Sequence, residues 1–152
     1  MKINDKVAFI TGGSGGLGSV IALRLAASGA NIAISYGQNL AAAKEIKAQI
    51  IAMGRKCCIL EMDQRVPQSI VNSVNQLVSE LGTIDILVNN AAWNAAVPFK
   101  DLDALTPELW DRMHETNLRG PFLVTRACAP HLRKNKMGRV INISAFIGLS
   151  AE

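Results

Sequence analysis

A cluster of glycines near the amino terminus is the strongest chemical signal in the chain. The apolar residues 7–10 (VAFI) end at Thr11, and residues 12–18 (GGSGGLG) lead into an apolar stretch suited to a helix. Glycine adopts backbone angles closed to other residues and lets a ligand approach the main chain. A helix beginning near Gly16 would point free N–H groups and its positive dipole end at an anion. This order predicts a dinucleotide pyrophosphate site formed by Gly12, Ser14, Gly15, Gly16, Leu17 and Gly18.

The glycine cluster fits two motif spacings. The pattern G-x-G-x-x-G starts at Gly13, but it is a weak signal in a chain with 12 glycines. The pattern T-G-x-x-x-G-x-G starts at Thr11 and fits the residues better. A glycine-rich turn without a ligand is the alternative. A P-loop is excluded, because Ser19-Val20 follows the glycines where that motif needs Lys and Ser or Thr.

The positions that follow depend on strands alternating with helices along the whole chain. Strands are predicted over residues 7–11, 31–36, 56–62, 84–89 and 138–144, and helices over 16–28, 40–53 and 67–81. A long helix starts after Thr106 as N-cap and runs to about residue 134, where Pro130 should bend or end it. The alternation predicts one α/β domain over residues 1–152, a doubly wound parallel sheet of Rossmann type.

Four further motifs follow the ends of predicted strands or lie in the long helix. Asp63 follows the third strand, Asn89-Asn90-Ala91-Ala92 follows the fourth, Asn117 lies in the long helix, and Ser144 ends the fifth strand. With the glycine pattern, they resemble the short-chain dehydrogenase/reductase family along the whole chain, with Ala92 in place of a glycine. The resemblance implies strand order 3-2-1-4-5, and cofactor contacts by Asp63, Gln64, Asn89 and Ala91.

The resemblance also implies a reaction, which is hydride transfer between a nicotinamide and a carbonyl or alcohol carbon. Ser144 would hydrogen-bond the substrate oxygen, and Asn117 would complete a proton relay through water. The family's Tyr-x-x-x-Lys pair is expected about a dozen residues after Ser144, whereas the single tyrosine is Tyr36 and no lysine follows Lys136. We therefore expect the C-terminal strands and helices of the fold to be missing, and the 152-residue chain to be inactive alone. A truncated, non-catalytic dinucleotide-binding module is the alternative.

The second strand bears on the choice of cofactor. A typical NAD site holds the adenosine ribose with an Asp or Glu at the end of this strand. Tyr36 stands there instead, and no acidic residue occurs between Asp5 and Glu45. Without a carboxylate to repel a ribose 2′-phosphate, NADP(H) is favoured over NAD, although Gly15 stands where many NADP-using relatives carry a basic residue. The missing acid also counts against a methyltransferase.

Composition limits the remaining classes of protein and partner. Hydrophobic residues make up 49% of the chain and charged residues 18%, which is typical of a globular domain. The net charge of +4 comes from scattered Lys and Arg with few aromatics between them, so no nucleic-acid partner is expected. No apolar run approaches the roughly 18 residues of a membrane span. Cys57, Cys58 and Cys128 lack the spacing of a metal site or disulfide set, which favours a reducing cytoplasm.

Two surfaces should be left uncovered in a chain of this length. The fifth strand would form a bare sheet edge, and part of the long helix's apolar face would lack a neighbour. In the family that helix pairs across a dimer interface, so we expect a homo-oligomer, a dimer or tetramer, for the full-length protein. The expected substrate is a small-molecule ketone or secondary alcohol, and Trp93 is expected to line its entrance.

Overall fold

The computed structural model describes residues 3–98 and 100–145. Five parallel strands form one sheet in the order β3-β2-β1-β4-β5. The strands are β1 (Val7–Ile10), β2 (Asn31–Tyr36), β3 (Cys57–Glu61), β4 (Ile86–Asn89) and β5 (Arg139–Asn142). The predicted fold class and strand order are therefore confirmed.

Five helices connect the strands of this sheet. They are α1 (Gly16–Ala27), α2 (Leu40–Ala52), α3 (Pro67–Leu81), α4 (Pro107–His114) and α5 (Gly120–Lys134). A short 3₁₀ turn, Leu102–Ala104, precedes α4, and a π-helical turn, Glu115–Arg119, joins α4 to α5. Each strand from β1 to β4 is thus followed by helix before the next strand begins, as the sequence pattern predicts.

Both faces of the sheet are covered, which explains why its central strands are almost wholly apolar. On one face, Phe9 and Leu87 pack with side chains of α3 and α5, such as Leu77 and Val124. On the other face, Ile10, Ile34, Ile86 and Val88 pack with side chains of α1 and α2, such as Ala22 and Ile50. All residues of β1 and β4 are buried in consequence.

The cysteines belong to this core. Cys57 and Cys58 lie in β3 and Cys128 lies in α5, all three free and buried. Removal from water disfavours the thiolate and raises the pKa of each thiol to about 12. These side chains therefore act as small apolar groups.

The long helix begins and ends where it was predicted to, and it differs from the prediction inside. Thr106 caps it as expected, its Oγ1 accepting from the Leu109 N–H. The π-helical turn Glu115–Arg119 interrupts it, and sequence periodicity gave no sign of that turn. Pro130 does not end it, since α5 continues to Lys134. The buried side chains of Cys128 and Leu132 anchor the helix to the core on either side of the proline.

The expected exposed surfaces are present among the described residues. All four residues of β5 are exposed, as are the apolar side chains of Leu118 in the π-helical turn and Phe122 in α5. β5 is also shorter than predicted, so Ser144 lies two residues past its end. No helix in the described part of the chain is both long and apolar enough to cross a membrane.

Candidate functional site

The glycine turn between β1 and α1 is shaped to receive an anion. Gly12 has a φ of +63°, and a Cβ there would come within 3.0 Å of the Ala91 Cα. A Cβ at Gly18 would collide with the Gly12 carbonyl oxygen, so α1 can start close to the turn only with glycine there. The N-cap of α1, Gly15, is extended and makes no side-chain capping bond, and no acidic residue occupies the first turn. The first N–H groups of α1 are therefore available to a pyrophosphate, which fits this cradle.

Thr11 and Asn90 hold the glycine turn against the end of β4. Thr11 Oγ1 accepts from the N–H groups of Asn90 and Ala91, both at 3.0 Å. Asn90 Nδ2 donates to the carbonyls of Thr11 at 2.9 Å and Gly12 at 3.3 Å. Both polar side chains are thus occupied in fixing the main chain that would face the cofactor.

A cleft of about 780 Å³ opens from the glycine turn toward the ends of β2 and β3. Ser14 and Gly15 form part of one wall, and Tyr36 lies at the end of β2. Glu61, the register partner of Tyr36 on β3, lines the same cleft. The structure therefore brings a carboxylate beside Tyr36 that is 25 residues away in sequence. We call this space the adenosine cleft.

Asp63 lines the adenosine cleft with its carboxylate held by Arg65. Arg65 donates from Nε to Oδ1 at 3.0 Å, from its second terminal nitrogen to Oδ2 at 2.6 Å and from its backbone N–H to Oδ1 at 2.9 Å. These bonds favour the charged form and lower the pKa of the Asp63 carboxyl. Asp63 is therefore ionised at neutral pH and still borders the cleft as an acceptor.

Gln64, a predicted cofactor contact, uses its side chain within the protein. Its side chain is buried, and Nε2 donates to the carbonyls of Ala91 at 3.0 Å and Thr116 at 2.7 Å. Both N–H groups of the amide are thus used within the protein, although the residue borders the adenosine cleft.

Trp93 also lines the adenosine cleft, where the guanidinium of Arg112 lies 4.1 Å from the centre of its ring. Trp93 is not among the residues that line the cleft containing Ser144, and its expected place at the substrate entrance stays a prediction. Asn117 binds the backbone of Trp93 in the loop after β4. Asn117 Oδ1 accepts from the Trp93 N–H at 2.9 Å, and Nδ2 donates to its carbonyl at 2.8 Å.

A second cleft, of about 620 Å³, contains the residues of the predicted reaction, and we call it the catalytic cleft. Asn117 and Ser144 both line it, with Asn89 at its base. Asn89 Nδ2 donates to Thr125 Oγ1 at 3.1 Å and Asn142 Oδ1 at 2.8 Å, which links β4 to α5 and β5. The buried Asn89 Oδ1 has no partner among the described residues.

The Asn117 side chain binds the Trp93 backbone through Oδ1 and Nδ2, and the Asn117 backbone carbonyl lacks its usual α-helical donor. Pro121, four residues later, has no N–H with which to bind that carbonyl as an α-helix would. The structure thus brings Ser144, Asn117 and Asn89 together, and separately gathers the glycine turn, Tyr36 and Asp63. Sequence reasoning missed Glu61, Arg65 and Arg112 as lining residues, and no local motif marks them.

Known proteins are similar to this chain in sequence and in fold. A family model described as short chain dehydrogenase matches residues 6–152. The chain therefore belongs to the short-chain dehydrogenase/reductase family. It is 38% identical over 145 residues to the short-chain dehydrogenase/reductase FrzI of a Cladobotryum species, covering 93% of this chain and 53% of that protein.

Solved structures agree with the family assignment. A short chain dehydrogenase from Burkholderia cenocepacia in complex with NADP has a TM-score of 0.90 at 33% identity, covering 100% of this chain and 60% of that one. A 7α-hydroxysteroid dehydrogenase complexed with NADH and 7-oxo glycochenodeoxycholic acid has a TM-score of 0.90 at 28% identity, covering 99% and 57%. The chain thus spans little more than half the length of these relatives.

Proposed function

We propose that the whole protein to which this chain belongs is an NADP-preferring oxidoreductase that interconverts a ketone and a secondary alcohol. The observation that carries the proposal is that Ala91 and Ala92 line both the adenosine cleft and the catalytic cleft. A dinucleotide with its pyrophosphate on the glycine turn could therefore extend past these two residues toward Ser144. Small side chains at this junction leave the space for it.

The chain's own residues have distinct parts in this reaction. When bound, the nicotinamide supplies or accepts the hydride. The Ser144 hydroxyl donates a hydrogen bond to the substrate oxygen, whose negative charge grows in the transition state. The Asn117 carbonyl accepts from a water molecule of the proton relay. The family's Tyr-x-x-x-Lys pair would supply the proton, and its expected place follows residue 152.

Preference for NADP rests on charge at the end of β2. Residues 36–38 (YGQ) are uncharged, so they offer hydroxyl and amide donors without repelling a 2′-phosphate. Arg112 lines the same cleft and adds positive charge, whereas the charge of Arg65 is balanced by its ion pair with Asp63. Glu61 acts in the opposite sense, because its carboxylate borders the cleft beside Tyr36. The complex of a relative with NADP supports the preference, whereas the complex of another with NADH shows that both forms occur in the family.

Turnover and binding assays test the two parts of the proposal. The full-length protein should oxidise NADPH in the presence of one or more members of a panel of ketones, and fluorescence titration should show tighter binding of NADPH than of NADH. Binding without turnover on any member would favour a non-catalytic dinucleotide-binding module. Tighter binding of NADH would refute the preference.

The 152-residue chain provides a second test. It carries no Tyr-x-x-x-Lys pair, and general acid catalysis contributes roughly 10² to 10⁴ in rate. We expect dinucleotide binding to this chain without measurable turnover. Turnover from the purified chain would show that another group donates the proton.

We also propose that the full-length protein is a cytoplasmic homo-oligomer, a dimer or tetramer. The exposed apolar side chains of Leu118 and Phe122 support association. Sedimentation of the full-length protein as a monomer at micromolar concentration would contradict it.

A further inference from the structure

The π-helical turn between α4 and α5 removes the usual donors from two backbone carbonyls. In an α-helix the carbonyl of residue i accepts from the N–H of residue i+4. In an α-helix the Gly120 N–H would donate to the Thr116 carbonyl, but here it donates to the Glu115 carbonyl instead. The residue four positions after Asn117 is Pro121, which has no N–H to donate to the Asn117 carbonyl. The wider i+5 spacing does not help Thr116, because its donor would again be Pro121.

The side chain of Gln64 supplies a donor at this place. Gln64 follows β3 and reaches the turn from outside the helix. Its Nε2 donates to the Thr116 carbonyl at 2.7 Å and to the Ala91 carbonyl at 3.0 Å. One buried amide therefore joins the π-helical turn to the loop after β4, which borders both clefts.

The surroundings of Gln64 indicate that the amide serves hydrogen bonding and not packing. The residue is only 5% exposed, and its Oε1 has no partner among the described residues. Burying an unsatisfied amide oxygen is unfavourable, so an aliphatic side chain would fill this space at lower cost. Gly120 leaves room for the Gln64 side chain, because a Cβ there would come within 2.8 Å of the Gln64 Cγ. The two donated bonds are what the amide adds.

The carbonyl that Gln64 binds belongs to the peptide unit that leads into Asn117. A second contact joins the same segments, since Arg119 donates to the Arg65 carbonyl at 3.2 Å. Fixing this turn fixes both the Asn117 carbonyl and the side chain that holds Trp93.

We propose that Gln64 is a positioning residue, whose amide replaces the donor missing at Pro121 and fixes the turn that carries Asn117. The consequence for catalysis rests on the proposed function, whereas the effect on the turn is a property of this chain.

Backbone amide hydrogen exchange on the 152-residue chain tests the effect on the turn. Gln64→Leu keeps a similar volume and cannot donate. It should accelerate exchange of the Trp93 N–H, which donates to Asn117 Oδ1, by about tenfold or more, because two carbonyls lose their donor. Exchange of the Phe9 N–H in β1 should stay within about twofold. Gln76→Leu, on the exposed side of α3, is the matched control and should leave Trp93 unchanged.

Restoring the backbone donor separates a positioning role from general destabilisation. Pro121→Ala provides the N–H that the helix lacks, so adding it to Gln64→Leu should recover most of the lost protection at Trp93. Unchanged exchange at Trp93 in Gln64→Leu, equal acceleration at Phe9, or no recovery in the double variant would each overturn the proposal.

Kinetics of the full-length protein test the effect of Gln64 on catalysis. Gln64→Leu should lower kcat by about tenfold with the KM for the dinucleotide within about twofold, while Gln76→Leu leaves both unchanged. A raised KM at unchanged kcat would make Gln64 a cofactor contact and overturn the proposal. Absence of turnover in the parent protein would refute the proposed function, and the exchange result would still decide the role of Gln64.

Discussion

Asn117 binds the backbone of Trp93 with both polar groups of its side chain, accepting from the N–H at 2.9 Å and donating to the carbonyl at 2.8 Å. This pair connects the two clefts, since Asn117 borders the catalytic cleft and Trp93 the adenosine cleft. The side chain of Asn117, the residue that family resemblance assigns to a proton relay, is therefore a structural clamp.

The clamp between Asn117 and Trp93 predicts that replacing the Asn117 amide by a carboxylate lowers stability. Asn117→Asp keeps the acceptor for the Trp93 N–H but places a carboxylate oxygen against its carbonyl. We expect the free energy of unfolding to fall by about 1 kcal/mol, because the part-buried Trp93 carbonyl loses its donor. Urea unfolding measures it, with Asn72→Asp on the exposed surface of α3 as a control expected within about 0.5 kcal/mol. Equal effects of both changes would refute the clamp.

The Asp63–Arg65 pair predicts a pH dependence of stability. Bonds from Arg65 lower the pKa of the Asp63 carboxyl in the folded state below its ordinary value of 3.8. The pair therefore stabilises the fold above pH 3.8, and this contribution is lost as pH falls through the lowered pKa.

Replacing the arginine should abolish that dependence. Arg65→Met should return the Asp63 pKa toward 3.8, followed by NMR of its carboxyl carbon. The stability difference between parent and variant should shrink on acidification, and it should be small throughout because both side chains are more than a third exposed. An Asp63 pKa that does not move in the variant would show that Arg65 is not its cause.

Tyr36 and Glu61 predict opposite changes in cofactor preference. Tyr36→Asp places a carboxylate where NAD sites use one to bind the ribose, so preference should shift toward NADH. Glu61→Gln removes the negative charge beside that position and should strengthen NADPH binding relative to NADH. Fluorescence titration of both cofactors measures the ratio. Shifts in the same direction for the two variants would contradict the electrostatic argument.

Ser144 predicts a selective loss of turnover in the full-length protein. Removing one donor to a developing oxyanion lowers kcat by on the order of a hundredfold or more, so Ser144→Ala should do the same. Dinucleotide affinity should barely change, because the hydroxyl serves the substrate oxygen. Ser19→Ala on α1, whose hydroxyl binds the Gly16 carbonyl, is a control for loss of a hydroxyl. Near-normal kcat in Ser144→Ala would return Ser144 to a structural role.

The edge strand predicts self-association of the 152-residue chain. Exposed β5 offers unpaired backbone groups, and Val140 is 42% exposed on it. Light scattering should rise with concentration, and Val140→Lys should reduce it because charge on an edge strand opposes pairing. Val20→Lys, on the exposed surface of α1, adds the same charge away from the edge. Equal reduction by both lysines would point to net charge instead of the edge.

Local pattern alone was enough to predict the strands of the sheet and the glycine turn, whereas the strand order came from the family resemblance. The buried strands are apolar on both faces, and glycine and proline mark where helices end or begin, as at Gly82 and Pro67. These signals lie within a few residues of the structure that they specify. The cradle of residues 12–18 and the cap at Thr106 are local in the same sense.

Contacts between distant segments were decided only by the tertiary structure. Gln64 binds carbonyls 27 and 52 residues away, and Asn117 binds a backbone 24 residues away. Glu61 meets Tyr36 through strand register, and nothing near either residue in sequence indicates the pairing. The physical reason is that a polar side chain can be satisfied by any donor or acceptor that packing brings within reach. Residue type sets what each side chain can bind, and the fold selects its partner.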